Sequence, residues 1–173
     1  MKVMDTETSR EKYMEFAGGM KTLVLSTTDE NGRPFISYAP FVKMGGKFYI
    51  YISRIANHYR HLEERSAVDV MLIADEAESA NLFARERARF TCEARNIGEE
   101  GNEEIFDQFK QVFSPQLITM LRSLDFSLFE LVPSEGRYVV GFGQAYDIDL
   151  SADQFQHVAR EGHSSSDTKN EAQ

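Results

Sequence analysis

Arg85, Arg87 and Arg89 recur at every second position in a segment whose other side chains are mostly apolar. Successive side chains of a strand point to opposite faces. The spacing therefore predicts three guanidinium groups on one face, with Leu82, Ala84, Ala88, Phe90 and Cys92 on the other, interrupted by Glu86. Cations so close repel one another unless an anion meets them: a phosphate, a pair of carboxylates, or acidic residues of a partner. In a chain of formal net charge -9, a solvated strand face balanced by nearby Glu and Asp accounts for the pattern about as well.

Other residues bear on chemistry less directly. Ser53-Arg54-Ile55-Ala56-Asn57 ends a strand and opens a helix, and a helix N-terminus flanked by Ser and Arg can receive a phosphate. His58 and His61 stand one helical turn apart, which suits a metal ion. No cysteine or carboxylate-rich second pair accompanies them, so histidines at the surface or an interface are the expectation. Cys92 lies on the apolar face with no histidine beside it in sequence, and reads as a buried structural thiol. Gly141-Phe142-Gly143 is not a phosphate-binding glycine loop; within a strand pair such glycines permit a bulge or a close approach by a ligand or a neighbouring chain. Asp125 follows a helix and precedes a strand, where it ends the helix or caps a turn. His163 stands in a polar tail, and neither it nor Asp125 is distinguished by spacing alone.

These residues need elements to position them. Thr6 to Glu11 starts a helix, with a hydroxyl to accept from the free amides of the first turn and acidic residues at the positive end of its dipole. Gly18-Gly19 ends it. Strands follow at 22–28, 34–43 and 47–53, joined by turns at Asn31-Gly32 and Gly45-Gly46, and form an antiparallel meander. A short helix spans 57–64 and a fourth strand 67–74. After a polar loop comes a long fifth strand, 82–96. Ile105, Phe106, Phe109, Val112 and Phe113 are spaced as the apolar stripe of a helix, and Ser114-Pro115 opens another whose stripe ends at Leu124. The spacing then predicts strands at 126–132 and 137–142, joined by Pro133-Ser134-Glu135-Gly136, and a last one at 146–150. Many strands with few helices point to a small closed barrel.

Composition sets bounds on function. At 173 residues the chain is expected to form one domain, residues 1–162, with a polar tail at 163–173 that is ordered mainly when a ligand holds it. The net charge argues against nucleic acid and against an anionic membrane surface. One cysteine forms no intrachain disulfide, no signal-like segment opens the chain, and no apolar run is long enough to span a bilayer. A cytoplasmic location is the expectation.

The run Gly136-Arg137-Tyr138-Val139-Val140-Gly141-Phe142-Gly143-Gln144-Ala145-Tyr146, with Gly162-His163 after it, resembles the C-terminal half of the HutZ and HugZ haem-utilisation proteins. These are haem-degrading relatives of the pyridoxamine 5'-phosphate oxidases. Leu23 to Thr27, Asp29 to Ser37, Ser53 to Leu62 and Leu82 to Arg89 extend the resemblance, which covers about residues 15–163. It implies a mainly β (α+β) fold, an antiparallel split β-barrel of the FMN-binding type with flanking helices, and a homodimer with haem at its interface. By resemblance, His163 is the ligand of the haem iron and Asp125, from the other subunit, accepts its second ring N–H. Arg85 lies close to the haem, while Arg87 or Arg89 serves the propionates or the interface. The implied reaction is a haem oxygenase-like opening of the porphyrin that releases iron and needs an external electron donor. Two alternatives remain: an FMN-dependent oxidase or reductase on the same barrel, and a haem storage or delivery protein without turnover.

Overall fold

The structure is a computed structural model that describes residues 5–150 and 154–158. In chain order its elements are α1 (Thr6–Gly19), β1 (Thr22–Thr28), β2 (Pro34–Met44), β3 (Lys47–Ser53), α2 (Asn57–Glu64), β4 (Ala67–Ile73), a 3-10 turn (Leu82–Ala84), β5 (Arg87–Asn96), α3 (Glu103–Val112), α4 (Pro115–Arg122), β6 (Phe126–Gly141), β7 (Gln144–Asp149) and β8 (Gln154–His157). Neighbouring strands run β3-β2-β1-β4-β5-β6, and a further pairing of β3 with β6 closes these into a barrel. Every pairing is antiparallel. This is the split barrel, flanked by helices, that the sequence leads one to expect.

The 16-residue β6 makes both the closure and the split. Its first half pairs with β3, from Ser53↔Phe126 to Phe48↔Leu131. Its second half leaves β3 and takes β7 as neighbour, from Glu135↔Asp149 to Val139↔Ala145, while β5 runs along its other side. β8 then pairs with β7. The register of β5 against β6 shifts at Thr91/Cys92, the irregularity that lets one strand bend between two neighbourhoods. Gly136 lies just beyond it. A Cβ there would stand 2.5 Å from the ring of the fully buried Phe90 and 2.6 Å from the Arg89 carbonyl oxygen, so only glycine fits.

Two cores result. Leu23, Leu25, Phe41, Phe48, Ile50, Val70, Leu72, Phe90 and Phe129 fill the barrel, and Tyr13 and Ala17 of α1 pack against them. Outside it, Val42, Tyr49, Tyr51 and Leu128 pack against Ile105, Phe106 and Phe109 of α3 and Ile118 of α4. β3 is thus buried on both faces, which is why its sequence is a continuous apolar run rather than an alternation. Two of the helices, α1 and α4, are capped by side chains. Asp5 Oδ1 accepts from Thr8 N at 3.0 Å, so a carboxylate caps α1 in place of the expected hydroxyl. Ser114 Oγ accepts from Leu117 N at 3.2 Å before Pro115 opens α4.

Three elements differ from expectation. The fifth strand begins at Arg87, because Asn81 Oδ1 accepts from Phe83 N at 3.0 Å and curls 82–84 into a turn. Segments 126–132 and 137–142 form one strand, since Pro133 sits at the register shift and needs no ladder hydrogen bond there. β8, a polar four-residue strand, carries no signal that composition could reveal.

Candidate functional site

The residues with chemical potential fall at the two ends of β6. Arg87 of β5 pairs with Val139, near the hairpin that joins β6 to β7. At the tip of that hairpin Gly143 takes a φ of 67°, which makes the turn possible, and the pairing of β6 with β7 shifts register between Val139 and Gly141, the irregularity that a glycine is expected to permit. β8 ends at the same place. His157 Nε2 donates to the Gly143 carbonyl at 3.1 Å, and Val158 N donates to the Ala145 carbonyl at 2.8 Å. His163 and the polar tail 163–173 lie outside the described residues.

The expected row of arginines does not exist as one free face. Arg85 precedes the strand; its Nε donates to the Ala74 carbonyl at 2.7 Å and its Nη1 lies 3.6 Å from Glu76. Arg89 Nη1 pairs with Asp69 on β4 at 2.7 Å. Arg87 donates from Nη1 to the Arg85 carbonyl at 2.7 Å and is half-buried. Among the described residues no carboxylate pairs with it. Glu86, the interruption of the apolar face, is accounted for: its carboxylate accepts the hydroxyl of the fully buried Tyr138, whose ionisation is pushed up chiefly by burial.

Asp125 stands at the opposite end, immediately before Phe126. Its carbonyl accepts from Arg54 N at 2.9 Å, and its carboxylate lies 3.5 Å from Arg54 Nε. The Arg54 that reads as a phosphate partner is therefore bound to Asp125, a contact between residues far apart in sequence that no local pattern announces. Both side chains are exposed, and such a pair stabilises a fold only weakly.

The histidines of α2 are not surface groups. His61 is buried, with Nδ1 hydrogen-bonded to Thr27 Oγ1 at 2.9 Å and the Phe35 ring edge-on at 5.0 Å between centroids. The half-buried His58 has its pKa lowered, mainly by burial and next by His61. No group of three or more metal-binding side chains occurs among the described residues. Cys92 is buried as expected, its thiol pushed up to about 12 by burial and, less, by Asp69. Among the described residues no helix is long and apolar enough to cross a membrane.

Residues 9–140 match the pyridoxamine 5'-phosphate oxidase sequence family. Over 136 residues, 78% of this chain and 77% of the relative, the chain is 40% identical to heme oxygenase HutZ of Vibrio cholerae. A crystal structure of Campylobacter jejuni ChuZ superimposes with a TM-score of 0.82 at 32% identity, covering 93% of this chain and 66% of that one. The crystal structure of Vibrio cholerae HutZ, there called a heme storage protein, superimposes with a TM-score of 0.68 at 38% identity, covering 76% of this chain and 92% of that one.

Proposed function

Because this chain belongs to the pyridoxamine 5'-phosphate oxidase family and to its HutZ branch, we propose that it binds haem and opens the porphyrin oxidatively, releasing iron, as a homodimer. The separation of the site residues along β6 carries this reading. Arg85, Arg87 and Val158 share one end, and Asp125 marks the other. Five extended residues, from 158 to 163, reach at most about 18 Å. Asp125 stands at the other end of the 16-residue β6. In this reading, which rests on the likeness to the HutZ branch, His163 of one copy pairs with Asp125 of a second, and a twofold dimer holds two identical composite sites.

In this site His163 would hold the haem iron. Asp125 accepts its second ring N–H, which fixes the tautomer and raises the basicity of the ligating nitrogen. Arg85, held by its bond to the Ala74 carbonyl and by Glu76, would lie beside the substrate and offer it the N–H groups these partners leave. Arg87, whose charge meets no carboxylate among the described residues, suits a propionate; Arg89, already paired with Asp69, suits it less. Bound haem supplies the oxygen-activating iron and is itself the substrate. An external donor supplies the electrons.

Hemin titration by visible absorption, followed by ascorbate in air with a ferrous chelator present, tests the reading. A saturable Soret band that bleaches while iron is captured is the expected result. Stable binding without bleaching, repeated with other reductants, would make the protein a haem store. No saturable band, with FMN bound instead, would move the protein to the flavin oxidases.

A further inference from the structure

Phe83 is 91% exposed, and Leu82 beside it is half exposed. The turn that carries them is nevertheless tightly held. Asn81 accepts from Phe83 N through its side chain at 3.0 Å and from Ala84 N through its carbonyl at 3.1 Å. Asp75 Oδ1 accepts from Ala77 N at 2.9 Å, and the Asp75 carbonyl accepts from Ser79 Oγ at 2.6 Å. Arg85 Nε ties the far side to Ala74. These bonds hold an aromatic ring out into water, and among the described residues no ring packs on it. Asn81 and Ala84 share a surface hollow with Val140, and Phe142, half exposed, stands two residues beyond Val140 at the hairpin tip. The 3-10 turn lies against β6, so exposed apolar side chains from two separate loops stand at the barrel end that also carries Arg85, Arg87 and Val158.

Resting on the haem reading above, we propose that Leu82, Phe83 and Phe142 form the apolar wall against which the face of the macrocycle packs, with Arg87 at its charged edge. The chemistry matches on both counts. A porphyrin offers a flat apolar face, which aromatic side chains cover, and two carboxylates, which a guanidinium meets. A lipid surface fits poorly, since a chain of net charge -9 is repelled by anionic headgroups.

The test is hemin titration of the full chain and of Phe83→Ser, Phe83→Leu and Phe142→Ser, with the mass in solution measured by light scattering. Met14→Ser, which alters an exposed apolar residue of α1, serves as control. Phe83→Ser is expected to raise the Kd about tenfold or more and to shift the Soret band, with dimer mass and thermal midpoint unchanged. Phe83→Leu keeps most of the affinity, and Met14→Ser keeps all of it. Wild-type affinity in Phe83→Ser and Phe142→Ser would overturn the wall while leaving haem binding intact. A variant that loses its dimer would make Phe83 an intersubunit contact and overturn the wall as well. A wild type that shows no saturable Soret band would instead sink the haem reading itself.

Discussion

Val158 donates its amide to the Ala145 carbonyl at 2.8 Å, and this bond holds Val158 against β7. Ala145 is the register partner of Val139, so Val158 lies at the end of β6 remote from Phe126 and Asp125. On the proposed reading, His163 and Asp125 of one site belong to different copies. Co-expressed, differently tagged His163→Ala and Asp125→Asn chains test this. Each variant alone should turn haem over slowly. The purified heterodimer carries one intact site and should regain about half of the wild-type rate. A heterodimer no faster than the two parents would return His163 and Asp125 to the same chain.

Asp125→Asn keeps the shape of the side chain and loses its charge. Haem is expected to stay bound, while turnover falls about ten- to hundredfold and the Soret and visible bands shift, because a neutral amide polarises the histidine less. Arg54→Ala, which removes the other partner of Asp125, should change stability by less than about 1 kcal/mol, since the pair is exposed. Wild-type spectrum and rate in Asp125→Asn would leave Asp125 as the partner of Arg54 alone.

Gly136→Ala should destabilise the protein by about 1–3 kcal/mol, seen as a lower urea midpoint at unchanged slope. The new Cβ meets a fully buried ring and a backbone carbonyl, neither of which can move aside without disturbing the pairing of β5 with β6. An unchanged midpoint would show that β6 can shift at the bulge.

Stability should decline above about pH 9. Burial raises the Cys92 thiol from 9.0 and the Tyr13 hydroxyl from 10.0, each to about 12, and raises Tyr51 and Tyr138 as well. The folded state holds these protons more tightly than the unfolded one. Their contribution is therefore complete below the unfolded values and is lost as pH rises towards the folded ones. Cys92→Ala should delay the onset of the decline from about pH 9.0 to about pH 10.0, where tyrosine begins to ionise in the unfolded chain. Denaturant midpoints at a series of pH values measure this; identical curves for both proteins would remove Cys92 from the effect. A thiol reagent added to native protein should label Cys92 only on unfolding.

Much of the barrel is legible locally. Asn31-Gly32 marks the β1–β2 turn because Gly32 takes a φ of 77°, and Asp29 Oδ1 accepts from Asn31 N and Arg33 N, each at 2.9 Å, to complete it. The apolar periodicity of α3 and α4 and the Ser114 cap mark those helices as read. Cys92, on an alternating strand, is buried as its apolar neighbours require. Position 61 is the counter-example. Its polarity suggests a surface, yet His61 is buried because Thr27, 34 residues earlier, supplies the hydrogen bond that burial demands.

By itself, then, the chain determined its strands, most of their turns and its membership of a family, since these rest on alternation, turn chemistry and motif. Tertiary structure alone decided the closure of β3 on β6, the continuity of β6 through Pro133 and the separation of the three arginines. It also decided that Arg54 meets Asp125 and that Asp125 and Val158 stand at opposite ends of β6. The physical reason is common to all of these. Each depends on which partner a backbone or charged group finds across the barrel, and partners far apart in sequence are brought together only by the closed sheet.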